Sequence, residues 1–420
     1  MKKNVGWTKK NDLCTGCGVC EDVCPVSVIQ IDRCGGEYRP SIDDSKCIGC
    51  GKCVKICPGL GVNLNEMGRT FFGGDGIKED QYIGRYISLY TGNATNEKIR
   101  YDASSGGVLS SFLVFLLEKK LIDGAVVTAF SNKDHLTPVS YIAKTKEDVL
   151  NAMGSKYCPV ALNAIGNEIC KLGGRYVIVG LPCHIHGFRK RAQIDKKFRE
   201  CIVGYFNIFC SSNRSFNAQK FLLKYFGFNR HKVDKFAFRG NGCLGMLSIE
   251  STELQKSVKV PYINYYGALR SFFKPKRCLT CVDHYGMLAD INFGDIYIDP
   301  YKNDHVGINS IVVRSPYFDK LLHQAEKDGY IYLNSLDAGL LNESQKTMLY
   351  PKKRKARAMM FLNKLRGKEN PIYDIALPTA SVKDYVSEIV CEIQRFIGRH
   401  QLLWGVIYYL FGKRMPKAGK

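Results

Sequence analysis

Cys14, Cys17, Cys20 and Cys24 stand at the spacing C-x2-C-x2-C-x3-C and run into Pro25. Cys47, Cys50, Cys53 and Cys57 repeat that spacing into Pro58. The second run is the first displaced by a constant offset, which marks an internal duplication. Three thiolates on one tight loop cap three corners of a [4Fe–4S] cube, and the fourth cysteine of each run reaches across to the other cube. The spacing therefore assigns Cys14, Cys17, Cys20 and Cys57 to one cluster and Cys47, Cys50, Cys53 and Cys24 to a second. Gly16, Gly18, Gly49 and Gly51 let the loops wrap closely and aim backbone N–H groups at sulfur. A zinc site is the rival for any lone C-x2-C pair, and two complete runs ending in Cys-Pro argue against it. Cys34 fits neither set.

Further along, Cys278 and Cys281 form half of another site. Residues 175–180 and 201–210 read as buried strands that end near Cys183 and Cys210. Ligands gather beyond the carboxyl ends of strands in open α/β sheets, so parallel neighbours would bring Cys183 and Cys210 to one edge. With Cys278 and Cys281 they make a candidate third [4Fe–4S] set. Three other readings stay open. Cys278, Cys281 and His284 suit zinc, Cys243 could replace one of the four, and buried cysteines also serve as small apolar side chains. His184 and His186 flank Cys183. On an extended loop they would point the same way and could act as proton donors.

The surrounding composition is that of a folded cytoplasmic protein. The chain has 420 residues, 45% of them hydrophobic, with 18 cysteines and a net charge of +22. Residues 1–13 lack the apolar stretch of a secretion signal, so reduced, metal-binding cysteines are expected rather than disulfides. No apolar run reaches the roughly 18 residues of a membrane span. The basic charge suits polyanions or an anionic coenzyme. No nucleic-acid motif accompanies it, and neither a dinucleotide fingerprint nor a hydrolytic triad appears.

Five segments follow: a ferredoxin domain (1–67), a Gly-rich linker (68–81), the first part of a flavin or coenzyme domain (82–158), its second part with the third cysteine set (159–340), and a basic tail (341–420). Within the second unit, a helix is expected over Ser105–Lys120 and a strand over Gly124–Phe130. The helix opens on Ser104, Ser105, Gly106 and Gly107, a turn suited to a phosphate oxygen or to ordinary capping. In the tail, Lys346–Lys368 carries only basic charges. Val382, Tyr385, Val386, Ile389, Val390, Ile393, Phe396 and Ile397 then keep a helical period, which residues 402–414 extend. A helix packed on the core and a helix resting on anionic lipid or a partner both fit.

The N-terminal repeat resembles a bacterial-type two-cluster ferredoxin. The ordered motifs SSGG at 104–107, GSKY at 154–157, VGLPCHIHG at 179–187, FCSSN at 209–213 and CLTC at 278–281 resemble the beta subunits of coenzyme F420 hydrogenases and dehydrogenases. That resemblance implies a multidomain α+β chain in which the ferredoxin is fused to an α/β flavin-binding domain. It implies FAD held by Ser104, Ser105, Gly106, Gly107, Ser155, Lys156, Tyr157, Gly180 and Pro182, with Lys156 near the chemistry, where His184, from its place beside Cys183, is the other catalytic candidate. It also implies a third cluster on Cys183, Cys210, Cys278 and Cys281. The expected activity is electron passage between coenzyme F420 and the clusters, then to a redox partner such as a ferredoxin or a dehydrogenase or hydrogenase subunit. The alternatives are another donor (NAD(P)H, ferredoxin or an unknown substrate, in envelope polysaccharide metabolism for some relatives) and a non-catalytic electron-transfer adaptor. The expected location is cytoplasmic, with peripheral contact at the inner face of the membrane as a variant.

Overall fold

Tyr176–Gly180 and Ile202–Ile208 pair in parallel, with Phe206 opposite Val179 and Asn207 opposite Gly180. The computed structural model that shows this describes residues 4–415. Gly124–Phe130 adds in parallel on one side and Ile291–Asp295 on the other. Antiparallel strands complete an eight-stranded sheet: Pro138–Ala143 beside Gly124–Phe130, and Asn309–Val313, Ser88–Ala94 and Ile331–Ser335 in turn beyond Ile291–Asp295. The two segments separated at residue 158 by sequence thus share one sheet.

Both faces of the sheet are covered, which explains why its central strands are continuously apolar. Helices Val108–Glu118 and Pro316–Lys327 close one face, where Phe112 packs against Phe115 and Phe206. On the other face Ile185, Phe188 and Phe198 lie over Val126 and Ile178. A three-stranded antiparallel sheet, Lys235–Ala237, Met246–Ser251 and Lys256–Pro261, builds a second core with Phe221, Trp404, Ile407 and Phe411.

The strand Gly124–Phe130 falls where the sequence places it, while the preceding helix starts later, at Val108 after Gly107. Residues 182–194 differ more. They form a helix rather than an extended loop, with Pro182 at its first turn, where a missing N–H and a fixed φ suit helix initiation. The Gly-rich joint holds the end of a helix, Leu64–Phe71, and a short strand, Lys78–Asp80.

The ferredoxin loops are fastened to this body. Leu162 N–H donates to Cys17 O at 2.9 Å, and Gly18, at φ +86°, lies where a Cβ would strike the backbone of Asn163. Arg277 donates to the carbonyls of Pro58 and Gly59, and Lys190 to that of Gly61 at 2.7 Å. Late in the chain, Ile372–Tyr373 pairs with Gly61–Val62. Among the described residues, no helix is long and apolar enough to cross a membrane.

One buried ion pair anchors the joint. Arg191 Nη1 lies 3.1 Å from Asp22 Oδ2, with both side chains almost wholly enclosed, and Gly166 N–H donates to the same carboxylate at 2.9 Å. Removing one member strands the other charge in the interior. Arg191→Met is expected to cost about 3–5 kcal/mol in anaerobic chemical denaturation. The double variant with Asp22→Asn should recover part of that loss.

Candidate redox site

Cys183 occupies the first turn of helix Pro182–Ile194, where unsatisfied N–H groups and the helix dipole favour an anionic sulfur. The Cys210 backbone N–H donates to His284 O at 3.0 Å, tying the end of one parallel strand to the loop after Cys281. The Cys278 sulfur accepts the Asn213 N–H. Burial pushes the Cys183 thiol well above its ordinary value, and Cys17, Cys210, Cys281 and Cys278 raise it further as neighbouring thiolates. Burial likewise raises Cys210 to about 12, with Lys352 opposing and Cys278 and Cys281 reinforcing the rise. The structure thus brings together the four cysteines paired from sequence.

The ferredoxin cysteines also gather in two groups. Cys24, Cys47, Cys50 and Cys53 line one small cavity under Val28 and Ile29. Burial raises Cys17 to about 11 and Cys57 to about 12, and both feel Cys14 as a neighbour. Cys20, raised well above its ordinary value by burial, is pushed up again by Cys17, Cys14 and Cys57. Four enclosed sulfurs that oppose one another's ionisation suit a cationic iron core, which binds thiolate and relieves the repulsion. Cys17 adjoins Cys183, so the first and third sets are neighbours.

His284, the alternative ligand beside Cys278 and Cys281, borders the same site and lines the cavity with Cys210. His284 turns its Nε2 to Gln345 Oε1 at 3.3 Å. Among the described residues no three His, Cys, Asp or Glu side chains assemble as the shell of a single ion. Cys243 sits beside Asp295 and Arg239. Cys34 is exposed.

A cavity of about 290 Å³ opens at the carboxyl ends of the parallel strands, close to the lower bound for a small-molecule site. Ser104, Ser105, Gly107, Ser155, Lys156, Tyr157, Gly180 and His184 line it, and so does Cys210. Gly106 and Pro182 are not on its wall. Gly106 packs against the backbone of Gly92 and Asn309, and Pro182 starts its helix. The serines are already engaged: Ser105 Oγ donates to Asp295, and Ser104 Oγ accepts the Ser155 N–H at 2.7 Å.

The two histidines diverge because they sit on a helix. Leu181 N–H donates to His184 Nδ1 at 3.1 Å, so Nε2 carries the proton it offers Val160 O at 3.0 Å. Burial holds that ring neutral, down to about 4. His184 therefore fixes the turn, with no nitrogen left to deliver a proton to the cavity. His186 instead donates to Asp283 Oδ2 at 2.9 Å, and Asp283 also accepts the N–H groups of Gly286 and Met287.

Sequence reasoning missed two cations. Arg239 is buried against Asp295 at 2.8 Å and reaches Ser104 O and the Tyr157 hydroxyl. Burial acts to raise the Asp295 carboxyl, but Arg239, Ser105 and Tyr297 together outweigh it and keep it low. With Tyr262 and Tyr266 stacked beside Tyr157, this pair forms one wall. The second cation, Lys352, belongs to the stretch read as a basic tail, which is a helix, Lys346–Leu365. Its Nζ donates to Cys210 O at 2.5 Å and Asp283 O at 2.6 Å. Burial opposes its charge, yet Cys281, Cys210 and Asp283 outweigh that and hold its pKa above the usual lysine value. The only sequence signal for Lys352 was a run of like charge, and Arg239 stands alone in a Gly-rich stretch; neither reveals a distant partner.

Three family models match the chain. Residues 173–339 match the family model for the C terminus of the coenzyme F420 hydrogenase/dehydrogenase beta subunit, and residues 89–165 match its N-terminal counterpart. Together they span more than half of the chain. Residues 13–59 match a 4Fe-4S dicluster domain. The coenzyme F420 hydrogenase subunit beta of Methanococcus voltae is 28% identical over 265 residues, 61% of this chain and 86% of that one. The coenzyme F420-dependent sulfite reductase of Methanocaldococcus jannaschii is 25% identical over 76% of this chain, which spans 47% of that protein. A chain in the solved F420-reducing [NiFe] hydrogenase complex from Methanosarcina barkeri superposes with a TM-score of 0.54 at 21% identity, covering 70% of this chain and 98% of its own. That last likeness is one of fold.

Lys156 offers a pH test of the cavity. Its Nζ donates to the carbonyls of Ala152, Met153 and Gly154, while burial brings its pKa from 10.5 to about 7. Between those values the unfolded chain binds one proton more than the folded chain, so stability should rise with pH from about 7 toward 10.5. Lys156→Met is expected to flatten that rise in denaturation midpoints measured across the range.

Proposed function

The chain belongs to the coenzyme F420 hydrogenase/dehydrogenase beta-subunit family of F420-linked iron–sulfur oxidoreductases, and we propose that it is a flavin-dependent member carrying electrons between coenzyme F420 and three four-iron clusters, then to a redox partner protein. The observation that carries this reading is Cys210, which belongs both to the cavity wall and to the third thiol set. A group seated in the cavity lies beside Cys210, one member of the set proposed to receive its electrons.

The residues fit a flavin. Tyr157, Tyr262 and Tyr266 offer aromatic surface, and Arg239 with Asp295 offers a charged edge. His284 Nδ1 is buried without a partner, and its neighbouring Nε2 is turned toward an amide oxygen. It is therefore an acceptor that a ligand N–H or O–H would satisfy. A bound flavin supplies the exchange between a hydride and single electrons, which neither a deazaflavin nor an iron–sulfur cluster supplies alone. The protein's part is to hold the rings in place, keep water out and set the local charge. Lys156 places its ammonium or amine at the cavity floor according to pH. Lys352 spans the Cys210 and Asp283 segments and keeps a positive charge beside the sulfurs. Cys17, next to Cys183, gives the ferredoxin sets their entry.

Anaerobically reconstituted protein is expected to release a flavin on denaturation and to hold about twelve iron atoms, three cubes of four. Reduced F420 should lose its electrons to the protein and bleach the flavin band, while NADPH should not. Cys278→Ser should lower iron to about eight with the flavin retained. Protein with eight irons and no flavin would defeat the reading and leave an electron-transfer adaptor.

A further inference from the structure

Helix Val382–Arg399 lies on the protein with its polar side inward. Asp384 is buried and lies 3.3 Å from Arg354, and Glu388 is enclosed. Cys391 Sγ donates to Ser271 Oγ, and Arg395 donates to Lys274 O at 2.7 Å. Gly398 presses on the Phe272 backbone so closely that no side chain would fit. These positions fall on one helical face. The opposite face carries the apolar period noted in the sequence, and it points away from the protein. Val382 is 78% exposed, Ile393 56% and Phe396 58%, with Val386 and Ile389 between them also exposed. The expectation that this stripe would either pack on the core or meet a partner is resolved in part: the core is held by the other side of the helix.

The apolar surface does not stop at Arg399. After a short turn, Trp404–Gly412 forms a separate helix. It buries Trp404, Ile407 and Phe411 in the second core and leaves Val406 and Tyr409 outside. In the turn, Leu402 is 100% exposed. Phe361, from the preceding basic helix, meets Tyr385 edge-on and is also exposed. Continuous exposed apolar surface of this kind marks a contact site.

Charge and hydrogen bonding identify its occupant. From Val382 to Met415 every exposed charged residue is basic: Lys383, Arg399, Lys413 and Arg414. The acids of this stretch are turned inward or paired, Glu392 with Arg366. A protein interface of useful size carries about one hydrogen bond per 100–200 Å², and the fully exposed positions from Val382 to Phe396 offer no side-chain donor or acceptor except the lysine at the start. Acyl chains need none. An apolar stripe with a basic border and no acid is the pattern of a helix lying in the interface of an anionic bilayer. The surface lies beyond residue 339, where the family match ends.

We propose that the outward face of Val382–Arg399, continued by Leu402, Val406 and Tyr409, seats this protein on an anionic lipid surface. The contact is peripheral, since no described helix is apolar and long enough to cross. It does not depend on the identity of the electron donor.

The test uses full-length, anaerobically reconstituted protein and sedimentation with vesicles. Phosphatidylcholine vesicles containing about a third phosphatidylglycerol are expected to carry the protein down, and pure phosphatidylcholine vesicles about tenfold less. High salt should weaken the binding. Ile393→Ser with Phe396→Ser should reduce it by about tenfold or more, with iron content and melting temperature unchanged because both side chains are already outside. Equal recovery with and without anionic lipid, or unchanged binding by the double variant, overturns the proposal. So does light scattering that shows a dimer dispersed by the double variant, which would assign the face to a second copy of the chain.

Discussion

Sulfurs gathered in a dry interior repel one another as they ionise, and much of this fold answers that repulsion. Cys183 is placed at a helix start, where the backbone offers partial positive charge. Lys352 lies against the same group and stays protonated despite its burial, because the thiols and Asp283 favour its charge. A neutral residue at that position would leave the sulfurs with the helix terminus as their main relief. The aspartate that shares Lys352 also orients His186, so the ligand segments and the helix carrying Cys183 form one polar unit.

That unit explains the route through the molecule. The sheet brings Cys210 to the carboxyl edge, where the cavity opens, and the helix after Gly180 turns Cys183 toward Cys17 of the ferredoxin. A cavity, a third thiol set and the first ferredoxin set are therefore consecutive neighbours, although their residues are scattered through the chain. The buried Arg191–Asp22 pair helps keep the ferredoxin at that distance, since a shift would leave the enclosed Asp22 carboxylate without its counterion, while Arg191 keeps Asp195.

How much of this could be read in advance differs by residue. The duplicated cysteine spacing specified both ferredoxin sets because their ligands are local. The strands ending at Gly180 and Ile208 were legible from apolar runs, and their parallel pairing is what brings Cys183 and Cys210 to one edge. The helix at Pro182 was not legible, because a proline after a strand reads equally well as a loop. Arg239 and Asp295 lie far apart in sequence, and nothing local announces their pairing. The period in Val382–Ile397 was legible as a helix, but period alone does not say which face meets the protein. Here buried Asp384 and Arg395 found partners on the body and Glu388 is enclosed beside them, so the usual assignment of apolar to inside was reversed.

The third thiol set also has a history written into its order along the chain. The ferredoxin ligands are all synthesised within the first sixty residues, whereas Cys183, Cys210, Cys278 and Cys281 are spread over the middle of the chain, and the lysine that steadies them arrives only with residue 352. The strand Ile372–Tyr373 then closes over the ferredoxin edge at Gly61–Val62. The surroundings of these four cysteines are therefore complete only once the chain beyond residue 350 has folded back onto them.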